Sequence, residues 1–309
     1  MRTFPRAAIR EHCVGQEWPD FLGSVELGEP FVIETEQFNA ANGPIAVRGV
    51  KAGEAIAIHI EVIEILPPFA APNGGPFFEG MGDLRPLEYR DGYFFFPEHF
   101  CLRARPSIGN VAVLPAPTDT ILAMSRDDHL ERGWRRVVND PRGRHCHQDC
   151  RWLMPGATIH LKAQVDEAGV CVADVHGYIG SGELAFAGIE VAANVRLRVE
   201  RSSDWLVDWP LIETDDEIMV FYSDTNILRN ATDDQFVDVV RGAYWALREV
   251  VAARIGSRVE AANTIVATAA DLRPCALYGL GNFIQKEGKT DQPDQDIAVV
   301  IALPKEALP

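Results

Sequence analysis

Short strand-like runs of apolar residues recur along the first two thirds of the chain, separated by glycine- and proline-rich turns. The clearest run places branched side chains at alternate positions: Ile56, Ile58, Ile60 and Val62. Alternate side chains of an extended strand share one face, so this period predicts a strand with one buried face. Similar runs lie at residues 45–50, 108–114, 158–165, 170–176 and 185–200. We therefore predict a mainly β fold, a jelly-roll-like β-sandwich.

The connections between these runs are also predicted. Pro67-Pro68 should end the strand that begins near residue 55, because proline cannot donate to a β-ladder. Residues 66–100 would then form a long connection, either a binding loop or an ordinary surface excursion. The runs 158–165 and 170–176 should pair as an antiparallel hairpin across the turn-like residues 167–169.

The last third of the chain changes from strand to helical periodicity. Hydrophobic residues recur there at spacings of three and four: Phe236, Val240, Tyr244, Leu247 and Val251. Thr232 and Gln235 form a capping-box pattern, and Gly256 is a plausible C-terminal stop, so we predict a helix near residues 233–255. Residues 264–272 and 297–303 read as strands or buried segments. We expect a mainly β domain at 1–205 that carries the functional site, and an α/β portion at 206–309 packed against it.

Charge and hydropathy exclude several classes of partner. The formal net charge is −16, which repels nucleic acid and anionic lipid. The sequence contains neither an apolar run long enough to span a membrane nor a signal-peptide pattern at its start. Its six cysteines are scattered. We therefore expect reduced thiols, a cytoplasmic location, and no nucleic-acid or membrane partner.

Histidine and carboxylate side chains cluster in two nearby stretches of the sequence. His145, His147 and Asp149 would share a face if their run is extended, and so would Asp174 and His176. The predicted hairpin would carry the second pair back toward the first three. Imidazole and carboxylate together are ligands for a divalent metal ion, which lowers the pKa of a bound water.

The turn that follows the second cluster completes the pattern. Glu183 could move a proton, and the amides of Gly180 and Gly182 could polarise a carbonyl oxygen. Two other interpretations stay open. Each of these side chains could be an ordinary solvated or hydrogen-bonded residue, and Cys146 and Cys150 could bind a structural zinc ion with a neighbouring histidine.

At these residues the sequence resembles the acetamidase/formamidase family. The resemblance lies in the run from His145 to Asp149, the turn Pro155-Gly156, and three motifs that follow it. These motifs are Asp174-Val175-His176, Gly180-Ser181-Gly182-Glu183 and Gly188-Ile189-Glu190. Fainter agreement covers most of residues 40–275. Two departures are the serine at position 181, where the family has aspartate, and residues 146–148, where the family has Gly-Gly-Asn.

The resemblance implies a function and a role for each matching residue. Glu183 and His145 are the predicted catalytic residues, with Glu183 as the general base. The predicted metal ligands are Asp149, Asp174 and His176, with His147 as an extra ligand. Contacts to the substrate are predicted for four residues: Tyr178, Ser181, Gly182 and Glu190.

The implied reaction is the metal-dependent hydrolysis of a small linear amide to carboxylate and ammonia. Zinc suits the ligand set best, while manganese, iron and calcium remain possible. Two alternatives are a binding protein without catalytic activity on the same scaffold, and a metal hydrolase of a cyclic amide or ester. A homodimer is the expected assembly, because it is the commonest soluble oligomer.

Overall fold

The computed structural model describes residues 1–8, 20–37, 42–72, 84–97, 99–114, 148–184, 187–223, 235–277 and 297–308. Within them the strands are β1 (Arg2–Phe4), β2 (Gly23–Val25), β3 (Phe31–Thr35), β4 (Asn42–Val47), β5 (Ala55–Pro72), β6 (Leu84–Pro86), β7 (Glu88–Arg90), β8 (Tyr93–Phe95), β9 (Cys101–Arg103), β10 (Ser107–Ala112), β11 (Thr158–Lys162), β12 (Val170–Tyr178), β13 (Ile189–Arg201), β14 (Leu211–Glu213), β15 (Glu217–Ser223), β16 (Asp271–Leu277) and β17 (Ile297–Pro304). The α-helices are α1 (Gln235–Ile255) and α2 (Val259–Ala269), and short 3-10 helices cover Arg6–Ala8 and Lys305–Ala307.

Most strands belong to one 14-stranded sheet. Its main path runs β16-β17-β15-β14-β11-β5-β13-β12-β4-β2, with β10 added to β12, β3 to β13, β1 to β3 and β6 to β5. A separate three-stranded sheet has the order β7-β8-β9. The prediction of a mainly β protein with a C-terminal α/β portion is confirmed.

Strands β15 and β17 of the large sheet are buried on both faces. Met219 and Phe221 of β15 join the main hydrophobic core, whereas Ile218 and Val220 join a second core beneath α1 and α2. This alternation follows from the period of two along a strand. The division of the chain near residue 205 stays a prediction.

The strand β5 is longer than predicted. It continues past Pro67-Pro68 to Pro72, and its register against β13 pairs Leu66 with Ala192 and Phe69 with Val191. The two prolines therefore lie in a bulge, where the ladder needs no donor from them. The predicted end at Pro67 is wrong, and the supposed connection contains β6, β7 and β8.

The predicted hairpin between residues 158–165 and 170–176 is also wrong. Strand β11 pairs with β5 and β14, whereas β12 pairs with β10, β13 and β4. The connecting residues Glu167 and Ala168 both adopt positive φ, and Val47 N–H donates to the Glu167 carbonyl oxygen at 2.8 Å. The connection is therefore held against the turn that follows β4, and the two strands diverge.

The predicted helix near 233–255 is confirmed as α1, although its buried face differs from the predicted one. Leu247 and Val251 are buried as expected, while Phe236 is 36% exposed. Val239 and Ala243 face the second core instead. The proposed cap at Thr232 lies outside the described residues.

The C-terminus of α1 has the predicted glycine stop. Gly256 has a φ of +60°, its N–H donates to the Ala253 carbonyl, and the Ser257 N–H donates to the Ala252 carbonyl. This is the Schellman arrangement, which satisfies the last carbonyls of a helix. Residues 264–269 belong to α2 rather than to a strand, and Val266 is buried there. None of the helices in the described part of the chain combines the length and apolar character needed to cross a membrane.

Glu213 on β14 connects three elements through its carboxylate. It accepts hydrogen bonds from His160 at 3.0 Å, Trp205 at 3.1 Å and Lys305 at 2.7 Å. The hydrogen bond from His160, followed by those from Lys305 and Trp205, lowers the Glu213 pKa to about 2 despite burial. The ionised carboxylate therefore stabilises the folded state at pH values above the ordinary pKa of a glutamate.

We expect Glu213→Gln to lower the free energy of unfolding by about 2 kcal/mol at neutral pH, after allowing for its partial exposure. Because the native pKa is depressed, this difference should shrink as the pH falls from about 4.5 toward about 2. Urea unfolding of both proteins across this range measures it. The exposed Glu306→Gln is the matched control and should match the wild type throughout; a Glu213→Gln deficit that is independent of pH would contradict the electrostatic explanation.

Candidate metal centre

The candidate centre lies where β10, β12 and the start of β13 meet. Antiparallel pairing sets Ser107 of β10 opposite His176 of β12, and His176 opposite Glu190 of β13. These pairings bring together residues that are far apart in the sequence. The strand β10, and not the predicted hairpin, supplies the connection to the first cluster.

Gln148 fixes the segment that carries Asp149. Its side-chain oxygen accepts from the Val111 N–H, and its side-chain amide donates to the Val111 carbonyl, both at 2.9 Å. The backbone N–H groups of Gln148 and Asp149 both donate to the Gly109 carbonyl, at 2.7 and 3.0 Å. Gln148 thus acts like one residue of an added strand on β10, and it sets Asp149 beside β12.

The His176 ring is held between two glycines that closely approach it. A Cβ on Gly109 would lie 2.6 Å from Asp174 Oδ2 and 2.8 Å from His176 Cε1. A Cβ on Gly188 would lie 2.7 Å from His176 Cδ2. Both contacts are closer than real Cβ atoms allow, so these positions require glycine for steric reasons.

We expect Gly109→Ala to lower the free energy of unfolding by about 1–3 kcal/mol, because its methyl group must displace Asp174 or the His176 ring. It should also reduce the metal bound per chain. Chemical unfolding of the metal-free protein and elemental analysis of the loaded protein measure the two effects. The control is Gly180→Ala, whose added Cβ meets nothing within 4 Å; equal behaviour of the two variants would contradict the close-approach argument.

The turn before Glu183 is attached to the edge of the sheet. Gly182 N–H donates to the Cys275 carbonyl at 3.0 Å, and Leu277 N–H donates to the Gly182 carbonyl at 2.9 Å. The Glu183 N–H donates to Gly180 at 3.1 Å. The Gly182 N–H, which the sequence suggested could polarise a substrate carbonyl, thus already donates to a carbonyl of β16.

Three of the candidate ligands adopt the left-handed backbone conformation. The φ angles are +43° at Asp149, +60° at Asp174 and +41° at Glu183. Residues other than glycine rarely adopt this conformation, and it costs of order 1–3 kcal/mol at each site. The surrounding pairings therefore hold these carboxylates at some conformational cost, a feature common at functional sites.

Three carboxylates surround the imidazole of His176. Its Nε2 atom lies 3.7 Å from Asp174 Oδ2, 3.4 Å from Glu183 Oε1 and 3.3 Å from Glu190 Oε1. Asp149 completes a second grouping, in which ligand atoms of Asp149, His176 and Glu183 lie within 4.8 Å of one another. All five residues are at least 96% buried. Asp149, Asp174, His176 and Glu183 are thus brought together as the sequence indicated.

Burial and the neighbouring charges shift the pKa of His176 in opposite directions. Burial lowers the pKa of His176, but the attraction of Glu190, Asp174 and Glu183 outweighs it and raises that pKa well above its ordinary value. Burial, followed by repulsion from Asp149, raises the pKa of Glu183 well above its ordinary value despite the nearby imidazole. The cluster thus places one imidazole among four buried carboxyl groups.

A divalent cation fits this donor set. Neither ring nitrogen of His176 makes a well-formed hydrogen bond within the described residues, and the same holds for Oε2 of Glu183 and of Glu190. Buried polar atoms normally have hydrogen-bond partners. Several buried nitrogen and oxygen atoms without such partners around one point are therefore consistent with a bound ion. Imidazole nitrogen and carboxylate oxygen are ligands of zinc and of related divalent metals.

Several residues that were predicted to bind metal or to act in catalysis lie outside the cluster or outside the described residues. His145, Cys146 and His147 lie outside the described residues, so their predicted roles stay predictions. Cys150 is buried, and among the described residues no metal-binding grouping contains a cysteine. A structural zinc site at Cys150 therefore gains no support from the described part of the chain.

The predicted substrate-contacting residues have different surroundings. Tyr178 packs partly buried against the main core, and Ser181 is partly exposed in the turn. Glu190 is buried beside His176, where its Oε1 also accepts from the Gly188 N–H at 3.0 Å. The substrate-binding roles of Tyr178, Ser181, Gly182 and Glu190 stay predictions.

Comparison with known proteins finds a family that matches part of this chain. Residues 98–210 match the Acetamidase/Formamidase family, a range that contains every element of the candidate centre. A search of the curated proteins found no significant match.

Solved structures share the fold over almost the whole chain. An acetamidase from Yersinia enterocolitica superposes with a TM-score of 0.75 at 18% identity, covering 100% of this chain and 93% of its own. An acetamidase from Bacillus halodurans gives 0.70 at 19% identity, covering 93% and 92%. A gamma lactamase from Delftia acidovorans gives 0.52 at 17% identity, covering 94% and 87%. The match over residues 98–210 confirms the resemblance to the acetamidase/formamidase family that the sequence motifs indicated, and the solved structures show the shared fold.

Proposed function

We propose that this chain is a metal-dependent hydrolase that cleaves the C–N bond of a small linear amide. The convergence of Asp149, Asp174, His176, Glu183 and Glu190 in a buried cluster carries the proposal. The family match over residues 98–210 supports amide hydrolysis as the reaction class.

Asp149, Asp174 and His176 are the proposed ligands; a divalent ion held by them would lower the pKa of a bound water toward neutrality. Glu183 accepts a proton from the attacking water and delivers it to the leaving nitrogen. Burial and repulsion from Asp149 raise its pKa, and a carboxyl of raised pKa is the kind that general acid–base catalysis uses. Water and amide thereby yield a carboxylate and ammonia, with no other reactant required.

The burial of the cluster contributes to the chemistry. Water-excluded surroundings strengthen each electrostatic interaction with the reacting atoms. The Gly188 N–H donates to Glu190 Oε1, which keeps this carboxylate beside the imidazole of His176, 3.3 Å from Nε2. We assign zinc as the first candidate metal from the imidazole and carboxylate donors, with manganese, iron and calcium to be tested beside it.

The test combines metal analysis with ammonia release. Purified protein should contain a divalent metal, and it should release ammonia from formamide or acetamide. Chelation should abolish this release, and one of the four metals should restore it. A metal-loaded protein that is inactive on linear amides of several sizes would contradict the proposal.

A cyclic amide is the second candidate substrate. It is favoured by the likeness of the fold to the gamma lactamase from Delftia acidovorans. Opening a lactam yields an amino acid and no ammonia, so the two reactions are separated by assaying new primary amine and ammonia in parallel. If neither appears while metal is bound, the alternative of a non-catalytic binding protein is favoured. The predicted homodimer and cytoplasmic location stay predictions.

A further inference from the structure

A second group of residues joins a serine, a histidine and a glutamate through two hydrogen bonds. His160 on β11 has its Nδ1 atom 2.8 Å from Ser202 Oγ and its Nε2 atom 3.0 Å from Glu213 Oε2. None of the five side chains of the candidate metal centre takes part. A hydroxyl, an imidazole and a carboxylate in this order are the components of an activated nucleophile.

The carboxylate determines the tautomer of the histidine. Glu213 is ionised at neutral pH, since its pKa is about 2, and it can only accept a hydrogen bond. His160 Nε2 must therefore carry the proton that lies between them, and in the neutral imidazole the Nδ1 lone pair then faces Ser202. Nδ1 is thus positioned to take the proton of the serine hydroxyl.

Additional contacts keep the glutamate in place. Lys305 Nζ lies 2.7 Å from Glu213 Oε1, and the Trp205 indole N–H donates to Oε2 at 3.1 Å. His160 is 95% buried, so its ring has little freedom to rotate. Ser202, in contrast, is partly exposed in the segment between β13 and β14, where a reagent can reach it.

We propose that Ser202 is an activated nucleophile, with His160 as its base and Glu213 as the group that orients the base. The site accepts activated acyl and phosphonyl esters that have a good leaving group. The Ser202 N–H already donates to the Ala55 carbonyl at 2.9 Å, so it does not stabilise a developing oxyanion. This restricts the reaction to electrophiles that need little further activation.

The reaction with a fluorophosphonate probe is fully balanced. The Ser202 oxygen forms a bond to phosphorus while the phosphorus–fluorine bond breaks, and fluoride leaves. The hydroxyl proton passes to His160 Nδ1 and then to solvent. The products are a phosphonyl ester on Ser202 and hydrogen fluoride.

Two other hydroxyls in the chain provide internal controls. The neighbouring Ser203 is exposed and donates to Asp204 Oδ1 at 3.1 Å, without a histidine. Thr158 contacts His59 Nδ1 at 2.8 Å, and His59 Nε2 lies 3.2 Å from Glu200 Oε2. However, Arg198 also binds Glu200, and the threonine hydroxyl is hindered by its methyl group.

The full-length protein is incubated with the probe at neutral pH, digested, and mapped by mass spectrometry over time. We expect Ser202 to be labelled about 100-fold faster than Ser203 and faster than Thr158, the gain typical of general-base assistance. Comparable rates at Ser202 and Ser203 in the wild type would overturn the proposal, and that comparison needs no variant. Ser202→Ala should remove the fast adduct and leave only the slow labelling of Ser203.

The variant His160→Gln tests the role of the base directly. It should slow the labelling of Ser202 to the rate of Ser203, with folding checked by circular dichroism. Unchanged labelling of Ser202 in folded His160→Gln would also overturn the proposal. Chelation of metal should leave the wild-type rate unchanged, because no residue of the candidate centre is used, so this result is independent of amide hydrolysis.

Discussion

Replacing His176 with glutamine is expected to remove bound metal and to lower amide hydrolysis more than about 100-fold, beyond the loss typical for a group that only supports a ligand. His176 is the one residue common to both groupings of potential ligands. Its imidazole lies within 3.7 Å of three buried carboxylates, which glutamine cannot neutralise.

The same substitution should destabilise the metal-free protein. Removing the cationic partner of a buried ion pair typically costs about 3–5 kcal/mol, because the remaining charges stay buried without compensation. Urea unfolding of the chelated proteins measures this loss, and elemental analysis of the loaded proteins measures the metal.

His59→Gln is the matched control for this prediction. His59 also contacts a carboxylate, but its side chain is 27% exposed and lies outside the cluster. This variant should keep the wild-type metal content and activity. A His176→Gln protein that retains a full complement of metal would contradict the assignment of His176 as a ligand.

A strand was predictable from the sequence wherever hydrophobic residues at alternate positions indicated its buried face. The alternation at residues 189–201 became β13, whose alternate side chains Val195, Leu197 and Val199 are fully buried. The glycine at position 256 likewise marked the end of α1, because its positive φ is a local requirement. The residue types in one short stretch of sequence are sufficient to predict such a strand or helix end.

Pairing between strands was not predictable in the same way. Adjacent runs and a turn-like link indicated a hairpin between β11 and β12, yet the choice of partner depends on how the whole sheet assembles. The candidate ligands still converged, because β10 supplied the pairing that the hairpin was expected to give. The convergence of these side chains was therefore predicted, but through a strand pairing that the structure does not have.

The residues that position the candidate metal ligands gave weaker signals in the sequence. Gln148 imitates a strand residue through its side chain, and no periodicity reveals this. The positive φ angles of Asp149, Asp174 and Glu183 are equally hidden, since these residue types seldom adopt them. Gly109 and Gly188 could have been noticed as glycines within strand-like runs, which often mark a close approach.

Glu183→Gln is expected to lower kcat for amide hydrolysis by about 10²- to 10⁴-fold while the metal content stays unchanged. Glutamine keeps the shape of the side chain but cannot accept the proton of the attacking water. The raised pKa of the Glu183 carboxyl, caused by burial and by Asp149, is the property that this substitution removes.

Glu190→Gln provides the comparison, because Glu190 lies at nearly the same distance from His176 Nε2, 3.3 Å against 3.4 Å for Glu183. Its glutamine variant retains an oxygen that can accept from the Gly188 N–H. We expect it to reduce kcat only about tenfold. This is the smallest loss usually seen when a residue that orients a metal ligand is replaced. Steady-state kinetics and elemental analysis of both variants separate turnover from metal binding.

The two variants together assign the roles of the two glutamates. If Glu183→Gln loses the metal, Glu183 is a ligand, and the proton shuttle must be sought in another residue. If Glu190→Gln causes the larger fall in kcat with metal retained, the roles are exchanged. Only a large fall confined to Glu183→Gln, with full metal content in both proteins, is consistent with Glu183 as the general base, because the two carboxylates are otherwise equally buried and equally close to the imidazole.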